Sequence, residues 1–134
     1  MGAPIQRNTS IDLFAGCGGL TRGLEWAGID CVAFNEVNKD AADSFAINFP
    51  EAIRLDGDIR VAVSDRVIDE VILPAAGEQG VDLVCGGPPC QGFSGIGHRR
   101  SFSVEKQDIP TNHLFHEMIR VIERIQPRAF LFEN

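Results

Sequence analysis

Long hydrophobic runs, paired cysteines and an excess of positive charge are all missing from this sequence, and each absence removes a class of protein. No apolar run approaches the roughly 20 residues that a bilayer-spanning helix needs. The first ten residues are polar and lack the apolar centre of a secretion signal, so the expected location is the cytoplasm. Four cysteines stand at positions 17, 31, 85 and 90. No Cys-x-x-Cys pair occurs, so no metal site is expected, and a disulfide framework belongs to shorter secreted chains. The cysteines read as free thiols, three of them small core or loop residues. Lys and Arg number 12 against 19 Asp and Glu, a net charge of -7. A surface that grips nucleic acid through its phosphates needs the opposite sign. The chain is therefore not expected to hold nucleic acid alone, although a catalytic half with its grip elsewhere stays compatible.

What is present is an ordinary globular balance, 44% hydrophobic and 23% charged over 134 residues, enough for one domain with a modest core. Internal repeats and low-complexity segments are absent. Short apolar runs alternate with helical periodicity. Residues 10–14 form a β-branched and apolar run that ends in glycines, and residues 20–27 read as a helix closed by Gly28. Residues 31–34 form a second short strand. Asn38 caps a helix with Ala41, Ala42, Phe45, Ala46 and Phe49 on one face, and Pro50 stops it. Ile53 and Leu55 suggest a third strand. Ser64 caps a helix bearing Val67, Ile68, Val71 and Ile72, with Pro74 as its end. Residues 81–85 read as a buried strand leading into Gly86-Gly87-Pro88-Pro89. Residues 95–109 are polar, basic and irregular, and are expected to form a mobile loop. Thr111 or Asn112 caps a helix with Leu114, Phe115, Met118, Ile119, Ile122 and Ile125 on one stripe. Pro127 closes it, and residues 129–132 form a last strand.

Strand and helix in alternation predict an α/β fold, a parallel sheet with helices on both faces and right-handed crossovers. In such sheets a ligand sits beyond the carboxyl ends of the strands, near the point where strand order reverses. Those ends carry Gly16-Cys17-Gly18-Gly19, Glu36, Asp58, the Pro88-Pro89-Cys90 loop and Glu133. The candidate residues thus fall on one edge before any relationship is invoked.

Each has a functional and a plain reading. Glycines after the first strand allow a tight turn and close backbone approach to a ligand, or simply a tight turn. Gly16 and Gly18 fit the first two positions of a Gly-x-Gly-x-x-Gly dinucleotide fingerprint, but Thr21 stands at the third, which weighs against a nicotinamide enzyme. Glu36 can accept the hydroxyl protons of a ribose, and Asp58 can reach the amino group of an adenine. Either can equally be a solvated strand-end acid or a helix cap. Cys90, on a loop stiffened by two prolines, is a candidate nucleophile or an inert packing thiol. No histidine is adjacent to serve as its base, and His113 and His116 belong to an expected helix, exposed. Glu133 follows an apolar strand. A carboxyl at a buried strand end tends to a raised pKa and can donate a proton. Otherwise it is a plain acid.

Three segments resemble a known family. Ile11-Asp12-Leu13-Phe14-Ala15-Gly16-Cys17-Gly18-Gly19 resembles the first motif of cytosine carbon-5 DNA methyltransferases. Gly87-Pro88-Pro89-Cys90-Gln91-Gly92-Phe93-Ser94 resembles their nucleophile-bearing fourth motif, and Phe132-Glu133-Asn134 the sixth. Asn35-Glu36 and Gly57-Asp58-Ile59 fit the cofactor positions between them. The resemblance implies a Rossmann-like S-adenosylmethionine-dependent fold with a partial parallel sheet. It implies S-adenosylmethionine over the loop Phe14, Ala15, Gly16, Cys17, Gly18 and Gly19. Phe14 would lie against the adenine, Glu36 on the ribose, Asp58 and Ile59 at the adenine edge and Leu114 along the cofactor, with Val37 and Pro89 also binding it. Cys90 would attack carbon 6 of a cytosine flipped out of double-stranded DNA, Glu133 would hydrogen-bond or protonate ring nitrogen 3, and Gln91, Ser94, Arg99 and Arg100 would meet the DNA.

Departures from the family pattern also matter. An arginine usual before Asn112-His113-Leu114-Phe115 is missing, and the chain reads Asp108-Ile109-Pro110-Thr111 there. Arg99 and Arg100 can meet phosphate or only form a solvated basic loop. The resemblance implies that residues 1–134 are the N-terminal part of a catalytic domain, without the target-recognition domain and the later motifs, and that a missing C-terminal part or a second subunit completes the enzyme. A transfer-RNA cytosine-5 methyltransferase, a non-catalytic S-adenosylmethionine-binding module and a nicotinamide oxidoreductase are the competing readings. Gln91-Gly92-Phe93-Ser94 favours DNA over transfer RNA, and the presence of both Cys90 and Glu133 argues against a degenerate site.

Overall fold

Apolar residues at alternate positions in short β-branched runs build strands, and apolar stripes at helical spacing build the covering layers. A computed structural model describes residues 2–3, 5–89 and 113–134. In chain order these form β1 (Asn8–Leu13), α1 (Gly19–Trp26), β2 (Ile29–Glu36), α2 (Lys39–Asn48), β3 (Ile53–Asp56), α3 (Ile59–Ala62) and α4 (Asp65–Val67). A π turn over Ile68–Ile72 leads into α5 (Leu73–Ala76), followed by β4 (Leu83–Gly86), α6 (Leu114–Ile125) and β5 (Ala129–Phe132).

All five strands are parallel, in the order β3-β2-β1-β4-β5. The expected α/β architecture is therefore present. Successive strands run outward from β1 to β3, then the chain crosses back to lay β4 on the other side of β1. The order reverses between β1 and β4, which opens a crevice at their carboxyl ends.

The two faces differ in chemistry. Ile11, Leu13, Ala33 and Val84 point to one face and pack against Ile59, Val63, Ile68, Ile72, Met118, Val121 and Ile125 of the later helices. On the opposite face Phe34 packs with Ala42, Phe45 and Phe49. The rings of Phe34 and Phe45 stack with centroids 3.8 Å apart. Helix α1 covers this second face too, yet its only fully buried residue is Thr21. The strand residues beneath it include Ser10 and Asp12, both buried and polar.

Several boundaries differ from the sequence reading, each for a physical reason. β1 starts at Asn8 and β2 at Ile29 because these residues pair with each other, a tertiary contact without local signal. β1 stops at Leu13 because Phe14 turns into the left-handed region (φ 54). The fourth strand is Leu83–Gly86 rather than 81–85, since Gly86 pairs with Leu13. Asn38 and Ser64 cap as expected, accepting from the N–H of Ala41 and of Val67. Pro74 does not end its helix, which runs on to Ala76 after the π turn. A turn with i→i+5 bonding can take up a residue that has no N–H. Helix α3, not anticipated, is capped by Asp58. The expected cover on both faces stops short of β5, where Phe130, Leu131 and Phe132 are exposed. The expected mobile loop and the caps Thr111 and Asn112 lie outside the described residues.

Two substitutions probe this packing. Phe45→Ala is expected to cost about 3 kcal/mol or more by emptying the space beneath α2. Asn38→Ala should cost about 1 kcal/mol through the lost cap. Urea denaturation midpoints at fixed slope measure both.

Candidate active site at the carboxyl ends of the strands

Between β1 and α1 the chain reverses direction in five residues. Phe14 (φ 54), Gly16 (φ 58) and Gly18 (φ 97) all take left-handed conformations. Gly18 is required twice over. Besides its φ, a Cβ there would come within 2.4 Å of Phe49 Cε2. The turn is fastened from the β2 side. The Ala15 N–H donates to the Asn35 carbonyl (3.1 Å), and the Gly16 N–H donates to Glu36 Oε2 (2.7 Å). The other Glu36 oxygen accepts from the Asn38 N–H (2.8 Å). One carboxylate thus ties the glycine turn to the start of α2. Each of its oxygens keeps an unused lone pair for a further donor.

The β3 end is fastened similarly. Asn35 Nδ2 donates to the carbonyls of Leu55 (2.7 Å) and Gly57 (2.9 Å). Asp58 then caps α3, and both its oxygens accept from the Arg60 guanidinium at 2.8 and 2.5 Å. These bonds from Arg60 hold the Asp58 carboxyl down at about 2. Of the two readings open for Asp58, the cap is present, and the same residue also faces the crevice.

Two cavities meet at these ends. One of about 220 Å³ is lined by Phe14, Asn35, Glu36, Val37, Asp58, Ile59, Gly87, Pro89 and Leu114. The adjoining one, about 240 Å³, is lined by Asp12, Phe14, Ala15, Leu20, Gly87 and Glu133. Phe14 and Gly87 border both. Phe14, Glu36, Val37, Asp58, Ile59, Pro89 and Leu114 thus come together around one space, with Ala15 and Glu133 at the next. Gly16, Cys17, Gly18 and Gly19 form the turn but line neither space. Cys90, Gln91, Ser94, Arg99 and Arg100 lie outside the described residues.

Glu133 reaches its place across Gly87. Its N–H donates to the Gly86 carbonyl (2.9 Å). A Cβ on Gly87 would stand 2.7 Å from Glu133 Oε2, so only glycine leaves the carboxylate this position. The burial expected for Glu133 is not found, because β5 and the residues after it are exposed. His113 and His116 are exposed, as anticipated. No group of three or more His, Cys, Asp or Glu among the described residues is arranged to hold a metal ion.

Sequence reasoning reached Asn35 only through the family resemblance, and gave no site role to Asp12, Leu20 or Gly87. A charged residue inside the apolar run Ile11-Asp12-Leu13 was the available signal for Asp12, since an acid is seldom buried without a purpose. Asp12 is 1% exposed and accepts from the Thr21 hydroxyl at 2.7 Å. Burial pushes its carboxyl up to about 7, with the Glu36 charge adding to the rise and the bonds from Thr21 and Cys85 opposing it. Burial likewise pushes the Cys31 thiol to about 12 and the Cys85 thiol up. Both therefore remain neutral thiols.

A raised folded-state pKa means that the folded protein holds a proton the unfolded chain gives up. The stability this group contributes is full below about pH 4 and is lost as pH rises through about 7. Asp12→Asn keeps an oxygen acceptor for Thr21 and cannot titrate. Urea midpoints between pH 6 and pH 8 should fall less in Asp12→Asn than in the parent. Equal slopes would remove Asp12 from the account.

The chain is 38% identical over 127 residues to the Type II methyltransferase M1.HphI of Haemophilus parahaemolyticus, covering 94% of this chain and 32% of that protein. It is 38% identical over 131 residues to the Type II methyltransferase M.XorII of Xanthomonas oryzae, covering 97% and 28%. A crystal structure described as a DNA modification methyltransferase encoded within an E. coli prophage superposes with a TM-score of 0.72 at 30% identity, over 93% of this chain and 31% of that one. The chain thus spans about a third of the length of these relatives. The profile of the C-5 cytosine-specific DNA methylase family matches residues 8–134, and the chain belongs to that family.

Proposed function

We propose that this chain is the cofactor-binding and nucleophile-bearing part of a DNA (cytosine-5)-methyltransferase that uses S-adenosylmethionine. The observation that carries the proposal is the pair of adjoining cavities. One is ringed by Phe14, Glu36, Val37, Asp58 and Ile59, and the other is bordered by Glu133, with Gly87 between them. The residues suit an adenosine-containing ligand. Glu36 has lone pairs left for two ribose hydroxyls. Asp58 is an ionised acceptor for an exocyclic amine. Phe14, Val37, Ile59 and Leu114 supply apolar surface for a base.

S-adenosylmethionine supplies an electrophilic methyl group when bound. The chain's own residues do the rest. The turn from Phe14 to Gly19 lets backbone come close to the ligand. Pro89 lines the cavity, and Cys90 follows it directly in sequence. In the proposed reaction the Cys90 thiolate adds to carbon 6 of a cytosine taken out of the stack. Glu133 donates a hydrogen bond or proton at ring nitrogen 3 and spreads the negative charge that builds in the ring. The addition would leave carbon 5 nucleophilic enough to accept the methyl group that bound S-adenosylmethionine would supply, with S-adenosylhomocysteine as the leaving group. Loss of the carbon-5 proton and departure of the Cys90 sulfur restore the aromatic ring. Cysteine suits both ends of this sequence, as nucleophile and as leaving group.

The DNA grip is proposed to lie beyond these residues. The net charge of -7 is wrong for holding a phosphate backbone, and Gln91, Ser94, Arg99 and Arg100 would contribute only locally. The exposed apolar edge of β5, with Phe130 and Phe132 in a T-shaped contact, is suited to covering by further polypeptide, either a C-terminal part or a second subunit. No described helix is long and apolar enough to cross a membrane.

Calorimetric titration and methyl-transfer assays test this reading. The protein is expected to bind S-adenosylhomocysteine and not NAD, and the completed enzyme to methylate double-stranded DNA in preference to transfer RNA. Cys90→Ser should lower turnover about a thousandfold or more, and Glu133→Gln about a hundredfold, both with cofactor affinity kept. NAD binding, or a Cys90→Ser enzyme of undiminished rate, contradicts the proposal.

A further inference from the structure

Beneath the glycine turn lies a polar cluster that no step above uses. Asp12 on β1 and Thr21 on α1 are 1% and 0% exposed, and the Thr21 hydroxyl donates to Asp12 Oδ2 at 2.7 Å. The Cys85 thiol on β4, the Cys31 thiol on β2 and the Glu36 carboxylate are the other titratable described groups coupled to it. Thr21 is the only fully buried residue of α1. A surface helix normally docks through an apolar stripe. This helix instead places a hydroxyl at the centre of its seat, directly over a buried acid.

We propose that the Asp12–Thr21 hydrogen bond is a latch that sets the glycine turn in its ligand-receptive shape, making both of them positioning residues for the cofactor. Apolar contacts let a helix rotate or slide by fractions of a turn, whereas a short buried hydrogen bond fixes both its rotation and its height on the strand. The latch closes the base of a turn that needs this restraint, since three of residues 14–18 are left-handed and one of those is Phe14. The bonds from Asn35 and Glu36 fasten the β2 side of the turn, and the latch fastens the side where α1 begins. Asp12 also forms part of the wall of the cavity that Glu133 borders, so the latch and the site share one space. The part of this inference that concerns the cofactor rests on the function proposed above, while the part that concerns the turn does not.

The test has two readouts, amide hydrogen exchange without ligand and S-adenosylhomocysteine affinity by calorimetry. Thr21→Val keeps the shape and removes the donor. Exchange at residues 15–22 is expected to quicken about tenfold while α2 and β3 keep their protection, and affinity is expected to weaken about tenfold. Thr21→Ser should restore both. Asp12→Asn, which still accepts from Thr21, should stay within about threefold of the parent in exchange. Unchanged exchange at residues 15–22 in Thr21→Val, or an increase spread evenly over every element, overturns the latch. Should Thr21→Val not fold, Asp12→Asn decides, and tenfold faster exchange there overturns it. A parent protein that does not bind S-adenosylhomocysteine sinks the cofactor reading and leaves the exchange result to judge the latch.

Discussion

A strand that must become a helix within five residues imposes the constraint on which the rest of this structure depends. Leu13 is paired in the sheet on both sides, and Gly19 already opens α1. The backbone between them can make the reversal only through left-handed residues, which cost little at Gly16 and Gly18 and more at Phe14. Such a turn persists when its surroundings over-determine it. Asn35 and Glu36 hold it from β2, Thr21 and Asp12 hold it from below, and Phe49 lies against Gly18. The same geometry brings Phe14 and Ala15 to the border of the crevice.

Four carboxylates gather near this edge, and the fold treats each differently. Glu36 accepts from two backbone N–H groups and keeps a lone pair on each oxygen. Asp58 is held ionised by Arg60. Asp12, raised chiefly by burial, keeps its proton to about neutrality. Glu133 stands exposed across Gly87. Grouping four acids would repel if all were equally ionised and equally buried. Different partners and different depths let them coexist, and they also separate acceptor, cap, latch and candidate proton donor into distinct roles.

Much of the fold was legible because periodicity reports burial. The apolar run at residues 10–14 and the stripe of Met118, Ile122 and Ile125 carry it locally. Asn38 and Ser64 announced their helices through cap chemistry, and both accept the expected N–H groups. Boundaries were less legible because they are set by partners far along the chain. Asn8 is strand because Ile29 lies beside it, and Gly86 is strand because Leu13 does. Pro74 misled because a π turn takes it up. The gathering of Glu36 and Asp58 was legible from their shared position after successive strands, whereas Phe14, Val37 and Ile59 were legible only through the family resemblance. The latch was not, since nothing in the spacing of Asp12 and Thr21 says that a helix seats itself on a hydrogen bond. Neither was the exposure of β5, because an apolar run reads as buried whether or not its cover is present.

On the function proposed for this chain, the carboxyl edge of the sheet is the ligand edge. Amide chemical-shift mapping during titration with S-adenosylhomocysteine addresses it most directly. Shifts are expected to concentrate at Phe14, Ala15, Gly16, Glu36, Val37, Asp58, Ile59 and Gly87. Binding accompanied by shifts at the opposite edge instead, around Gly28 and Gly80 where β2 and β4 begin, would contradict it.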